Sequence, residues 1–252
     1  LSNPVEYVQL PKIHQKEIEF LSLDEMKELL KACDCENWRI GIILLIFTGI
    51  RIGELLALRQ DSIKFENGIY YLDIQQSLQR VTNFEAKDGE DKTVLQLTSP
   101  KTENSKRQIP LLPDVMAELR AHIDTQNDIS RRSYGLYSQS PFLICNEIGE
   151  HIDATTFRKW FSSMIHKTEI TKKVTPHILR HTFASQSLKN GMDLKSISTL
   201  LGHYSTDFTA RTYVHTDIEG RFNAISNLQN MSNGLLCPPT TTNNLPSRKE
   251  SI

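Results

Sequence analysis

At 252 residues, with 38% hydrophobic and 23% charged side chains, the chain is long enough for one large domain or two small ones and can bury its own core. Its longest apolar run, Ile40 to Phe47, is eight residues and includes Gly41, far short of the ~20 that a membrane helix needs, so no membrane role is expected. Cys33, Cys35, Cys145 and Cys237 show neither metal-ligand nor disulfide-framework spacing and read as reduced cytosolic thiols. The net charge of −1 argues against a nucleic-acid partner until its distribution is considered. Residues 109–157 carry three basic side chains against seven acidic ones, whereas Arg158, Lys159, Lys167, Lys172, Lys173 and Arg180 face only Glu169 in residues 158–181. Lys101, Lys106 and Arg107 add a second basic stretch with Glu103.

In chain order, residues 1–20 hold Pro4 and Pro11 without a clean period and read as an extended lead-in. The chain begins with Leu rather than Met, so a preceding part is expected. Ser22-Leu-Asp-Glu25 is a capping box that starts a helix through Ala32. Trp38 to Thr48 is apolar enough for a helix buried on most sides, closed by Gly49. Arg51 to Leu58 predicts a short helix with Arg51 in its first turn, where free amides favour an anion. Ile63 to Ile74 alternates around Asn67-Gly68, a strong hairpin signal.

Residues 75–93 are polar and read as a loop or an extended hairpin tip. Val94 to Thr98 alternates as a strand whose partner starts at Arg107 to Ile109, with Lys101 near the turn between them. Asp114 is expected to cap a helix over 115–123, followed by an irregular stretch over 124–141 and a short strand from Phe142 to Cys145. Asp153 caps a helix to about His166, whose core face is Phe157, Trp160, Phe161 and Met164. Thr175-Pro176 opens a helix that stops at Gly191, and Asp193 opens another that stops at Gly202. A further helix from Ser205 or Thr206 carries Tyr213, and Ile218 to Leu228 forms a last one. From Met231 onward the composition cannot bury enough apolar surface to fold alone, so 231–252 is expected to be a flexible tail.

The chemistry concentrates between Thr175 and Tyr213. His177 and Arg180, at i and i+3, share one helical face near its N-terminus. Such a histidine can move a proton near neutral pH, and the arginine can clamp two phosphate oxygens. His181 reads as a hydrogen-bonded structural histidine, and His203 follows a helix-ending glycine that can aim it at a cleft. Of seven tyrosines, Tyr70, Tyr71, Tyr134 and Tyr137 suit core or surface roles and Tyr7 lacks context. Tyr204 and Tyr213 remain, and a helix after Ser205 can bring Tyr213 back towards the His/Arg face. A phenol of pKa ~10 is a weak nucleophile at pH 7, and paired arginines lower the cost of its anion and of a five-coordinate phosphoryl transition state.

Thr48-Gly-Ile-Arg51-Ile-Gly-Glu-Leu-Leu, Pro-Lys101-Thr-Glu-Asn-Ser-Lys-Arg, His177-Ile-Leu-Arg180-His-Thr-Phe-Ala, Leu-Gly-His203 and Thr-Tyr213-Val-His together resemble the tyrosine recombinase (phage integrase) family, in its order and at its spacings. The resemblance spans about residues 20–228 and implies an α+β fold, mainly helical with a small antiparallel β-sheet or hairpin. It implies that Arg51 and Arg180 hold a scissile phosphate in double-stranded DNA. Tyr213 would attack that phosphate, giving a 3′-phosphotyrosyl link. Lys101 would serve as general acid to the leaving 5′-oxygen, with Lys106 as the less favoured choice on the same stretch. His177 would assist proton transfer, His203 would contact the phosphate and Glu54 would orient Arg51. Neither metal, ATP nor any other cofactor is required by this chemistry, in keeping with a sequence that lacks a phosphate-binding glycine loop or a carboxylate metal cluster.

Lys106, Arg107, Arg158, Lys159, Lys172 and Lys173 are further candidates for contacting DNA. The family resemblance also implies a helical core-binding domain before a linker at 1–20, a catalytic domain over 21–230, and tetrameric synapsis in which C-terminal segments dock in trans. DNA-bending accessory proteins and a bacterial cytoplasmic, nucleoid-associated location follow from the same likeness. The long segment 75–98 is similar to the extended hairpin of conjugative-transposon integrases, which favours a mobile-element integrase over a Xer-like resolvase. A type IB topoisomerase and a catalytically inactive DNA-binding regulator of the same fold are the competing readings.

Overall fold

The computed structural model describes residues 19–34, 36–87, 91–99, 106–138 and 142–202. Lys101, His203, Tyr213, the helices expected after Ser205, nearly all of the 1–20 lead-in and the 231–252 tail lie outside these residues. Seven helices and two small antiparallel sheets make up the described part, an α+β arrangement.

Helix α1 (Leu23–Ala32) starts as the capping box requires: Ser22 Oγ accepts the Glu25 amide at 3.2 Å and Glu25 Oε2 accepts the Ser22 amide at 2.7 Å. Helix α2 (Arg39–Thr48) is the centre of the core, with eight of its ten residues buried, so it has no polar face to present to solvent. Neighbouring helices cover it: α1, α3 (Ile52–Ala57), α4 (Pro113–Arg132) and α6 (Pro176–Lys189) all pack on it. Phe157 and Phe161 of α5 (Ala154–Ile165) are fully buried in the same apolar cluster. Cys33 belongs there as well, and burial pushes its thiol up to about 11, as befits a packing residue.

Gly49 ends α2 in the left-handed region at φ +60°. A Cβ there would lie 2.5 Å from Phe183 Cδ1 and 2.7 Å from Leu201 Cδ2, so both backbone and space demand glycine. Gly49→Ala is expected to lower the unfolding free energy by about 2–4 kcal/mol, read from urea denaturation.

Strands β1 (Ile63–Glu66) and β2 (Ile69–Ile74) form the expected hairpin, and the turn residues Asn67 and Gly68 both have positive φ, 50° and 81°. That matches the primed turn whose twist suits the flanking strands. The remaining strands depart from expectation. Residues 75–93 are not simply a loop: β3 (Ser77–Thr82) pairs with β4 (Thr93–Thr98) in a two-stranded ribbon, with Ser77 opposite Thr98 and Thr82 opposite Thr93. The expected pairing of 94–98 with 107–109 is not formed. Strand β5 (Arg107–Pro110) instead adds to the free edge of β2, with Leu72 opposite Ile109 and Ile74 opposite Arg107. Alternation identifies a strand but leaves its partner open, and here Ile109, buried in the main core, selects the β2 edge.

Helix α4 is longer than expected, and most of the stretch read as irregular is helical. Leu112 is its N-cap and Pro113 its first residue, so Asp114 lies in the first turn rather than at the cap. Its polar second half lacks apolar periodicity, yet Gln126 is buried and donates to Phe142 O at 3.0 Å, which holds the helix to the loop beyond it. Phe142 to Cys145 is not a strand. It makes single bridges, Arg59 with Phe142 and Cys145 with His151, while Leu143 and Ile144 plug the core.

Candidate active site

Three sequence-distant segments meet at the C-terminal end of α7 (Leu194–Leu201). Asp193 caps the start of this helix, and Gly202 ends it at φ +64°. The last carbonyls of a helix lack intrahelical donors and carry its partial negative charge. Here three arginines supply the donors. Arg107 Nε reaches Leu200 O at 2.5 Å, Arg180 Nη2 reaches Leu201 O at 2.6 Å, and Arg51 Nη2 reaches Gly202 O at 2.9 Å.

Arg51 is the N-cap of α3 rather than a first-turn residue, in extended backbone at φ −75° and ψ 149°. Its amide donates to Glu54 Oε2 and its Nη1 to Glu54 Oε1, both at 2.9 Å, so one carboxylate fixes both ends of the residue. The side chain of Arg51 remains 41% exposed. Arg180 differs: it is only 3% exposed, and its Nη1 donates to Gly49 O at 2.6 Å as well. It therefore joins the end of α2 to the end of α7 as a buried, oriented cation.

Glu54 is 4% exposed and receives a second arginine, Arg107, in a two-point pair with Nη1 at 3.0 Å and Nη2 at 2.8 Å. Burial pushes the Glu54 carboxyl up, but hydrogen bonds and charge from Arg107, with the amide and charge of Arg51, outweigh this and hold it below its ordinary value. Arg107, expected among the DNA-contacting cations, is 7% exposed, with its guanidinium turned to the interior. The available signal was its alternation with Ile109, which places both on the inward face of β5.

Helix α6 presents His177 from its first turn, behind Thr175, whose Oγ1 accepts the Ile178 amide at 3.3 Å. His177 is exposed, with its ring edge-on to His181 at 4.3 Å between centroids. Partial desolvation, then the charges of Arg180 and Arg51, hold the His177 pKa below its ordinary 6.5, so the imidazole is neutral at pH 7 and can accept a proton. His181 is lowered to about 4 by burial and by His177 and Arg180, and it stays uncharged.

The structure therefore brings Arg51, Glu54, His177 and Arg180 together, with Arg107 added. Lys106, Arg158, Lys159 and Lys173 are exposed. Lys172 is exposed too but lies on α1, with its ammonium 2.9 Å from Glu25.

Comparison with known proteins places this arrangement. The chain is 29% identical over 221 residues to a XerC-like tyrosine recombinase of Caldanaerobacter subterraneus subsp. tengcongensis, covering 86% of this chain and 55% of that protein. It is 28% identical over 230 residues to a tyrosine recombinase of Thermosipho africanus, covering 90% and 67%. The chain thus spans a little over half to two thirds of the length of these curated relatives. Among solved structures, the Tn1549 transposon integrase in complex with transposon right end DNA superposes with a TM-score of 0.67 at 20% identity, over 86% of this chain and 68% of that one. XerA recombinase superposes with a TM-score of 0.60 at 23% identity, over 85% and 66%. This likeness of fold accords with the family model described as the phage integrase family, which matches residues 19–219. The chain belongs to the phage integrase family of tyrosine recombinases.

Proposed function

We propose that this chain is the catalytic region of a site-specific DNA recombinase that cleaves and rejoins strands through a 3′-phosphotyrosyl intermediate. The observation that carries the reading is the convergence of Arg51 and Arg180, from opposite halves of the chain, on the helix end immediately before His203. Both arginines are oriented before any substrate arrives, which is how a site stabilises charge that develops in a transition state. The phenolate of Tyr213 attacks phosphorus, and the 5′-oxygen leaves with a proton from Lys101. His177, neutral and beside both arginines, accepts the tyrosine proton, and His203 contacts a phosphate oxygen. A 5′-hydroxyl from the partner strand then attacks the phosphotyrosine, releasing Tyr213. The ester linkage is exchanged rather than hydrolysed, so the reaction balances without an energy source.

Double-stranded DNA is the substrate. The relatives' greater length supports reading residues 1–20 as the approach from a further DNA-binding domain, with 21–230 as the catalytic domain. Lys106, Arg158, Lys159 and Lys173 supply exposed cations for backbone contact. Assembly as a synaptic tetramer is part of the same reading, as is a nucleoid-associated location. The β3–β4 ribbon within residues 75–98 favours a mobile-element integrase. A Xer-like resolvase is the second reading, favoured by the XerC-like relative at 29% identity.

The test is a duplex from DNA flanking the gene, nicked beside the cleavage point so that the short product diffuses away. A covalent protein–DNA adduct is expected with the full-length protein and none with Tyr213→Phe. No adduct from the unaltered protein overturns the reading. Exchange between two separate duplexes is expected, and relaxation of supercoils without exchange assigns a topoisomerase instead.

A further inference from the structure

We infer that Arg107 is a positioning residue for the cleavage site, acting through Glu54 and the end of α7 and never touching DNA. The inference rests on the recombinase reading above. Arg107 links three segments that sequence separates. It opens β5, directly after the stretch that holds Lys101. Its two terminal nitrogens hold both oxygens of Glu54, the carboxylate that in turn fixes the amide and guanidinium of Arg51. Its Nε holds Leu200 O, two residues before the carbonyl that Arg51 itself caps.

The geometry is specific to a guanidinium. A planar fork satisfies a carboxylate at two points and still directs Nε to a carbonyl elsewhere, whereas an ammonium is a point charge that cannot span all three acceptors. Gly202 records how closely the two parts fit. A Cβ there would stand 3.1 Å from Arg107 Nη1 and 3.3 Å from its Cδ, so the backbone leading to His203 lies against this side chain. A cation used only to attract DNA would be placed at the surface, but this one is buried in an ion pair that orients another arginine. Shifts of about 1 Å in such supports cost on the order of 10²-fold in rate when the reacting groups depend on them.

The experiment compares Arg107→Lys with the unaltered full-length protein on the nicked duplex. Adduct formation is timed at saturating DNA, affinity is measured over a salt series, and circular dichroism reports the folded fraction. Arg107→Lys is expected to form adduct about 100-fold more slowly at saturation. Its affinity and the slope of log K against log salt should be unchanged, because no phosphate contact is lost. A salt slope reduced by about one unit would make Arg107 a DNA contact and overturn the role. An unaltered rate also overturns it, as does a rate loss that the folded fraction fully accounts for. If the lysine variant does not fold, Arg107→Gln carries the same comparison, and failure of both variants to fold reduces Arg107 to a stability element. An unaltered protein without adduct removes the recombinase reading and this role together, whereas adduct formed equally by Arg107→Lys removes the role alone.

Discussion

With Arg180 replaced by lysine, adduct formation on the nicked duplex is expected to fall by about 10²–10³-fold at saturating DNA, the usual cost of removing one preorganised donor to a developing charge. Charge is conserved in this variant, so the loss would come from orientation. The guanidinium of Arg180 is fixed by Gly49 O and Leu201 O, both at 2.6 Å, and these contacts lie on the ends of two different helices. An ammonium can serve one of those carbonyls well and leaves the other without its charged donor. The unfolding free energy should drop by about 1–3 kcal/mol as a result. Denaturation and single-turnover rates measured on one preparation separate the two effects. A rate within a few-fold of the unaltered protein would remove Arg180 from the cleavage site.

Glu54→Leu is expected to lower the unfolding free energy by about 3–5 kcal/mol, because it removes the carboxylate that pairs with the buried guanidinium of Arg107. Arg51 loses the same partner, but its side chain is 41% exposed and water replaces the contact, so its share is small. The sign of the pH dependence follows from the lowered carboxyl of Glu54. Its contribution to stability is complete above the ordinary value of 4.5 and is lost as pH falls below that, through the lower folded value. Urea denaturation from neutral pH down through the carboxylate range should therefore show a steeper acid loss in the unaltered protein than in Glu54→Gln. Equal slopes, or a leucine variant as stable as the parent, would show that the Glu54–Arg107 pair contributes little to folding.

Local signals in the sequence translated well into local structure. Ser22 and Glu25, Asn67 and Gly68, Thr175 and Pro176, Asp193 and Gly202 each act through atoms within a few residues, and each does so as written. Errors arose where partners are distant. The 124–132 half of α4 has no apolar stripe to announce it, because a buried Gln126 rather than a hydrophobic face anchors it. Strand β4 alternates equally well for β3 or β5, and the choice was made by Ile109 entering the core beside Leu72.

The family motifs named Arg51, Glu54, His177 and Arg180 because residue type and order are properties of the chain itself. Their convergence is a tertiary matter: Arg51 and Gly202 lie 151 positions apart and meet through one hydrogen bond. Arg107 marks the division most clearly. As a letter beside Lys106 it is one more basic residue, suited to a phosphate. Folded, it lies 3% exposed at its side chain against Glu54. Burial turns a surface charge into an obligate pair, because a guanidinium removed from water must find its acceptors inside the protein. Sequence alone therefore determined the family and the starts of most described helices, and it named the candidate side chains. The tertiary structure decided which arginine supports another, and it did so through desolvation, which has no meaning until the chain is packed.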